Sequence, residues 1–141
     1  MSKKINIIIV DDNKHYREAL KSLLLSLGKE KINIINNASS GKEFINTINK
    51  TNTDIVFMDY EMPVMNGLEA TRIALSNYPR LTIIALSLYD DTQYVDAMLE
   101  AGAKGYLLKN SDNNEIFMKI IKNHNEGKFF SKEINYQDLL S

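Results

Sequence analysis

Four short apolar runs in this 141-residue chain each end on a polar side chain suited to phosphate chemistry, and this constrains the fold more than any other feature. Ile5 to Val10 runs into Asp11-Asp12. Asp54 to Met58 runs into Asp59. Leu81 to Leu86 stops at Ser87, and Ala103 to Leu108 stops at Lys109. Short runs rich in β-branched residues and leucine read as strands buried on both faces, as in a parallel sheet. Open parallel sheets bind ligands outside the carboxyl ends of their strands, where the strand order reverses. Three carboxylates, a hydroxyl and an ammonium are therefore expected at one edge.

Helical patterns separate these runs. Tyr16, Ala19, Leu20, Leu23, Leu24 and Leu27 share one face of a helix expected over Asn13 to Leu27, with Gly28 placed to end it. Ile32 to Ala38 reads as a further strand. Ser39 or Ser40 can cap a helix carrying Phe44, Ile45 and Ile48 to about Lys50. Pro63 and Asn66-Gly67 mark a loop over Tyr60 to Gly67, followed by a helix to about Asn77. A fourth helix is expected to reach Ala101, with Tyr94, Ala97, Met98 and Ala101 toward the sheet and Gly102 as its stop. Ser111-Asp112 with Glu115 reads as the opening of a fifth, whose stripe runs from Ile116 to His124. Alternation of this kind predicts an α/β fold: a doubly wound, five-stranded parallel sheet in the order 2-1-3-4-5, flavodoxin-like and CheY-like. That order sets Asp11 and Asp12 against Asp59. From Gly127 the pattern weakens. Gly127 to Ser131 reads as a helix exit, and Lys132 to Ser141 as a short helix or a frayed tail.

Composition narrows the function classes. A net charge of -1, with lysines spread among acidic neighbours, gives no electrostatic reason to expect nucleic acid or an anionic membrane as a partner of this chain. There is no cysteine, so disulfides and thiolate metal sites are excluded. No apolar stretch approaches the length of a membrane span. The Lys3-Lys4 start before Ile5 to Val10 mimics a signal peptide, but Asp11-Asp12 interrupts the run, so a first strand is expected.

The gathered residues define a chemistry. Three ionised carboxylates at roughly 4–6 Å repel by several kcal/mol in a partly buried site, so at least one pKa must rise unless a cation intervenes. Mg²⁺ suits such oxygen ligands, and the loop after Asp59 can add a backbone carbonyl at Glu61. Asp59 is the expected nucleophile, forming an aspartyl-phosphate, with Lys109 and Ser87 on the transferring oxygens. Taken singly, each residue has a plainer role. Asp11-Asp12 can cap a helix, Asp59 can simply end a strand, Ser87 can make a turn, and Lys109 can be solvated. Tyr106 reads as core and His15 as surface.

In this order the residues resemble the receiver domain of bacterial two-component response regulators. The likeness rests on Asp11-Asp12, on Met58-Asp59-Tyr60-Glu61-Met62-Pro63 with Met65-Asn66-Gly67, on Ala85-Leu86-Ser87, and on Ala101 to Lys109. The resemblance implies a receiver domain over residues 1–127 and a tail or linker start over 128–141. It implies that Asp59 accepts a phosphoryl group from a phosphohistidine on a sensor histidine kinase. Asp12 binds Mg²⁺ directly and Asp11 through water, while Ser87 and Tyr106 form a switch pair in which Tyr106 turns inward on phosphorylation. A changed surface of the fourth helix, fifth strand and fifth helix then controls an output. Asn110 stands where many receivers have a cis proline, and with Gly127-Lys128-Phe129-Phe130-Ser131 it resembles the NarL/FixJ type, whose members carry a LuxR-like helix-turn-helix beyond a linker. Ser141 falls short of such a domain, so a receiver fragment is the favoured reading and a stand-alone receiver the alternative. Localisation is expected to be cytoplasmic, DNA is expected as a partner only through the further domain, and a homodimer is left open. Glu61 and Tyr89 depart from the pattern beside the path of the attacking water. Two other classes are disfavoured. An Asp-nucleophile phosphatase, for which Glu61 superficially suits a second acid, lacks chain for a substrate cap. A non-phosphorylated receiver would normally have lost an acid or the lysine.

Overall fold

The computed structural model describes residues 3–48 and 52–134. Strands β1 (Ile5–Val10), β2 (Ile32–Ala38), β3 (Ile55–Asp59), β4 (Thr82–Ser87) and β5 (Gly105–Leu108) alternate with helices α1 (Lys14–Gly28), α2 (Gly41–Ile48), α3 (Gly67–Asn77), α4 (Thr92–Glu100) and α5 (Asn114–Lys122). The sheet is parallel throughout, in the order β2-β1-β3-β4-β5 with a sixth strand, β6 (Phe129–Phe130), beyond β5. The expected order of the first five strands is observed, but the expected count of five is corrected to six among the described residues. Strand β6 (Phe129–Phe130) pairs with Gly105 and Tyr106 of β5.

Two features build β6 from a stretch expected only to leave the last helix. Gly127 turns the chain at φ +84°, a conformation that favours glycine. Gly105 then admits the new strand: a Cβ there would lie 2.3 Å from the Phe129 carbonyl oxygen. Ser131 and Ile134 beyond it are buried, so the chain stays packed on the sheet past residue 127. The tail expectation for residues 135–141 lies outside the described residues.

The strands are buried on both faces because helices cover both. Ile7, Ile9, Phe57, Leu86 and Leu107 pack under α1 and α5, with Phe117 set edge-on to Phe57 at 5.5 Å. Ile8, Val10, Val56, Met58 and Ile83 pack under α2 and α3, and Ala85 and Tyr106 under α4. Helix starts follow local chemistry. The Asn13 side chain accepts from Tyr16 N–H, Ser40 from Glu43 N–H, and Asn66 from Glu69 N–H. Helix α4 presents Val95 and Met98 to the core, whereas Tyr94 is only half-buried. It turns instead toward Tyr60 and Tyr89, with ring centroids at 5.0 and 5.7 Å. Helix α5 ends at Lys122, short of His124, and starts at Asn114, one or two residues later than Ser111-Asp112 suggests, with Asn113 at its cap position and the Asn113 side chain turned to Leu108 and Ser131.

Candidate functional site

The carboxyl ends of β1, β3, β4 and β5 bring Asp11, Asp59, Ser87 and Lys109 together, as the strand-end pattern predicts. Asp12, Asn13, Asp59, Glu61, Ser87, Leu88, Tyr89 and Lys109 line one cleft of about 220 Å³. Asp11 and Asp59 are buried at 0% and 2% exposure, while Asp12 is exposed. One carboxylate oxygen from each of the three lies within 4.8 Å of the other two.

Local bonds set this geometry. Asp11 Oδ1 accepts from Asn13 N–H at 2.9 Å, and Arg17 Nη1 donates to the Asp11 carbonyl at 2.5 Å. These tie the end of β1 to the first turn of α1. At β3, Asp59 Oδ1 accepts from Glu61 N–H at 3.3 Å. The following loop folds back so closely that a Cβ on Gly67 would meet the Asp59 carbonyl at 2.1 Å. The turn at its tip is strained: Val64 has φ +70° and is 99% exposed, and Met65 N–H donates to the Pro63 carbonyl across it. That three-residue turn is the rare γ form, and a β-branched residue fits it poorly.

Lys109 bridges the two buried acids. Its Nζ lies 2.6 Å from Asp11 Oδ2 and 3.1 Å from Asp59 Oδ1. Burial alone would lower the ammonium pKa, but the hydrogen bonds and charges of Asp11 and Asp59 outweigh it and raise the value. For Asp59 the balance runs the other way. Burial, then the Asp11 charge, push its carboxyl up to about 7 despite Lys109. Asp59 Oδ2 is buried and accepts no hydrogen bond. A buried carboxylate oxygen without a partner is costly, and beside two further carboxylates it fits a cation and an incoming electrophile. The donor set is all oxygen, the class preferred by hard divalent cations.

Sequence reasoning missed three features here. The Tyr16 ring, read as part of the apolar face of α1, covers Lys109 with Nζ 4.7 Å from its centroid. Tyr89 joins the two residues of the expected switch. Its N–H donates to Ser87 Oγ at 3.0 Å, and its carbonyl accepts from the Tyr106 hydroxyl at 2.7 Å. Tyr106 is already fully buried in this structure, and burial pushes its phenol up to about 12. Third, Asn113 and Ser131 form a buried polar knot just beyond Lys109. The three-residue step from Asn13, which caps α1, to Tyr16 could have flagged the ring. Nothing in the local pattern announces the other two.

Among known proteins, a profile described as the response regulator receiver domain matches residues 7–121. The chain belongs to that family. Over 109 residues the receiver domain is 38% identical to the transcriptional regulatory protein DegU of Brevibacillus brevis, covering 77% of this chain and 45% of that protein. Over 135 residues it is 36% identical to the transcriptional regulatory protein LnrK of Bacillus subtilis strain 168, covering 96% of this chain and 60% of that protein. The chain thus spans about half the length of the curated relatives it matches, which are NarL/LuxR-family response regulators. A crystal structure of a LuxR-family two-component response regulator from Aurantimonas sp. SI85-9A1 superposes with a TM-score of 0.85 at 24% identity, over 99% of this chain and all of that one. That likeness is one of fold. The described residues of the receiver domain include no helix long and apolar enough to cross a membrane.

Proposed function

We propose that this receiver domain is a Mg²⁺-dependent phosphoacceptor switch in which Asp59 takes a phosphoryl group from a phosphohistidine of a sensor histidine kinase. The observation that carries this reading is the Asp59 carboxylate: its Oδ2 is buried without a hydrogen bond, its Oδ1 meets the Lys109 ammonium, and one of its oxygens lies within 4.8 Å of oxygens from Asp11 and Asp12. Asp12 and Asp59 would hold Mg²⁺ directly, Asp11 through water, and Glu61 by its backbone carbonyl. When bound, the ion supplies positive charge against the carboxylates and the transferring oxygens.

Asp59 Oδ2 attacks phosphorus in line. The new O–P bond forms as the P–N bond to the donor imidazole breaks, and the ring nitrogen keeps that electron pair and takes a proton from solvent. Lys109 moves its ammonium onto a phosphoryl oxygen. Ser87 Oγ accepts from Tyr89 N–H, and its own hydroxyl proton would turn to donate to a second oxygen. Turning Ser87 toward the phosphoryl group disturbs its link to Tyr89, and Tyr89 holds Tyr106. The charge added at Asp59 so reaches the surface of α4, β5 and α5 through one hydrogen-bonded chain.

The output we propose is transcription, exerted through a helix-turn-helix domain outside this chain. The names of the relatives, transcriptional regulatory proteins, support that reading. A cytoplasmic location, contact with DNA only through that further domain, and self-association into a homodimer belong to the same proposal. A stand-alone receiver acting in a phosphorelay is the alternative.

Incubation with acetyl phosphate and Mg²⁺, followed by intact mass measurement, tests the chemistry. The wild-type chain is expected to gain one phosphoryl group, which is lost with chelator during labelling and absent from Asp59→Asn. No gain in the wild type, or an equal gain in Asp59→Asn, overturns the assignment.

A further inference from the structure

Lys109 faces a conflict that the acid pocket alone does not resolve. Its ammonium is held by Asp11 Oδ2 and Asp59 Oδ1, the same carboxylates a divalent cation would recruit. Once a cation draws on those oxygens, the ammonium loses part of its hold and meets a like charge. A four-carbon stem with free rotors would then swing toward solvent. The reaction needs the opposite, an ammonium kept beside Asp59.

The third wall around Nζ is aromatic. The Tyr16 ring centroid lies 4.7 Å away, within the range of a cation–π contact. A ring face attracts a cation yet offers no oxygen that competes for the metal. The ring's place is built in. Asn13 N–H bonds Asp11 Oδ1, the Asn13 side chain accepts from Tyr16 N–H, and Arg17 holds the Asp11 carbonyl. Three successive local bonds thus fix the first turn of α1 against the acid that shares Lys109.

We infer that Tyr16 is a positioning residue for Lys109, its ring holding the ammonium at the pocket by a cation–π contact while the carboxylates are shared with a cation. This inference rests on the phosphoacceptor reading for its consequence, though not for the contact itself. The plain alternative is that Tyr16 merely packs α1 onto the core beside Leu20 and Leu23. Under that alternative a leucine serves as well as an aromatic ring.

Two variants of the full chain, Tyr16→Phe and Tyr16→Leu, separate these cases. Tyr16→Leu is expected to slow phosphoryl uptake from acetyl phosphate at saturating Mg²⁺ roughly threefold to tenfold, the span of one cation–π contact. Tyr16→Phe is expected to restore most of the rate. Mg²⁺ affinity by calorimetry and the urea midpoint should be alike in the two variants. A spectroscopic arm reads the contact directly. The Lys109 Cε protons, assigned by their loss in Lys109→Arg, should lie upfield in the wild type and Tyr16→Phe, and move downfield in Tyr16→Leu. A leucine variant as fast as wild type, a phenylalanine variant as slow as leucine, or unmoved Lys109 protons overturns the inference. If wild type takes up no phosphoryl group, the phosphoacceptor reading falls. The proton shifts then still decide whether the ring holds the ammonium.

Discussion

Two buried polar clusters lie on either side of Lys109, and they are resolved in opposite ways. Toward the strand ends, Asp11 and Asp59 crowd one ammonium, and an oxygen of Asp59 goes without a hydrogen bond. Just beyond, Asn113 and Ser131 are as deeply buried at 4% and 1% exposure, yet their bonding is closed. Ser131 Oγ accepts from Leu108 N–H at 2.7 Å and donates to Asn113 Oδ1 at 2.6 Å. Asn113 Nδ2 donates to the Leu108 carbonyl at 2.8 Å. Burial is equal, so it does not tell the clusters apart. Satisfaction does: the closed knot stabilises the fold, and the open pocket keeps an uncompensated group where a ligand can meet it.

The knot should therefore give the largest stability loss on mutation. Ser131→Ala leaves the Leu108 N–H and one Asn113 oxygen buried without partners, and is expected to cost roughly 2–4 kcal/mol. Urea unfolding reads this as a lower midpoint at unchanged slope. Phosphoryl uptake by the folded fraction should persist. A loss under about 0.5 kcal/mol, the size of an ordinary surface substitution, would erase the contrast between the clusters.

A change in the pocket should act with the opposite sign. Asp59→Asn removes one of three clustered charges and is expected to stabilise the chelator-treated protein by about 1–3 kcal/mol at pH 8. The pH dependence follows from the same cause. The folded chain holds the Asp59 proton up to about pH 7, whereas its ordinary value is 3.8. Between those values the folded state binds more protons than the unfolded one, so stability falls as pH rises. The contribution is full below about pH 4 and is lost through pH 7. Subtracting the Asp59→Asn melting profile from that of wild type, both in chelator, should isolate this slope. A flat difference across pH 4 to 8 would remove Asp59 as its source.

Saturating Mg²⁺ should then narrow the gap. Ligand held at about a hundredfold excess over its dissociation constant stabilises by about 2.7 kcal/mol. The gain in wild type should be greater at pH 8 than at pH 5, because protonated carboxylates do not bind the ion. Asp59→Asn should gain less at both. An equal gain in the two proteins would place the ion elsewhere.

The two clusters also differ in how far the chain alone reveals them. The pocket was readable because each strand delivers one member: Asp11, Asp59, Ser87 and Lys109 all sit where an apolar run stops, and a parallel sheet aligns such stops. The knot was not readable. Asn113 has the look of a helix cap, and Ser131 that of a turn residue. Their partnership depends on β6, a two-residue strand with no periodicity of its own. That strand exists because Gly105 leaves room for the Phe129 carbonyl, a fact of tertiary packing. Tyr16 and Tyr89 were hidden for a different reason. Their contributions lie in a ring face and in backbone groups, which residue type does not disclose.

The smallest expected effect tests whether the pocket side also tolerates strain that the knot side does not need. Val64 sits at φ +70° in a γ turn and is 99% exposed, so no packing within the described chain offsets the strain. A left-handed backbone costs a non-glycine residue roughly 1–2 kcal/mol. Glycine removes that cost but gives back about 0.5–1 kcal/mol in unfolded-chain entropy. Val64→Gly is therefore expected to raise stability by about 0.5–1 kcal/mol, seen as a slightly higher urea midpoint. Phosphoryl uptake from acetyl phosphate should change little, because a small donor needs no contact with the loop tip. Uptake from a kinase partner, in contrast, should slow if the exposed valine meets that partner. A destabilised Val64→Gly would mean that the turn is held by its side chain after all, and the strained rim would no longer distinguish the open cluster from the closed one.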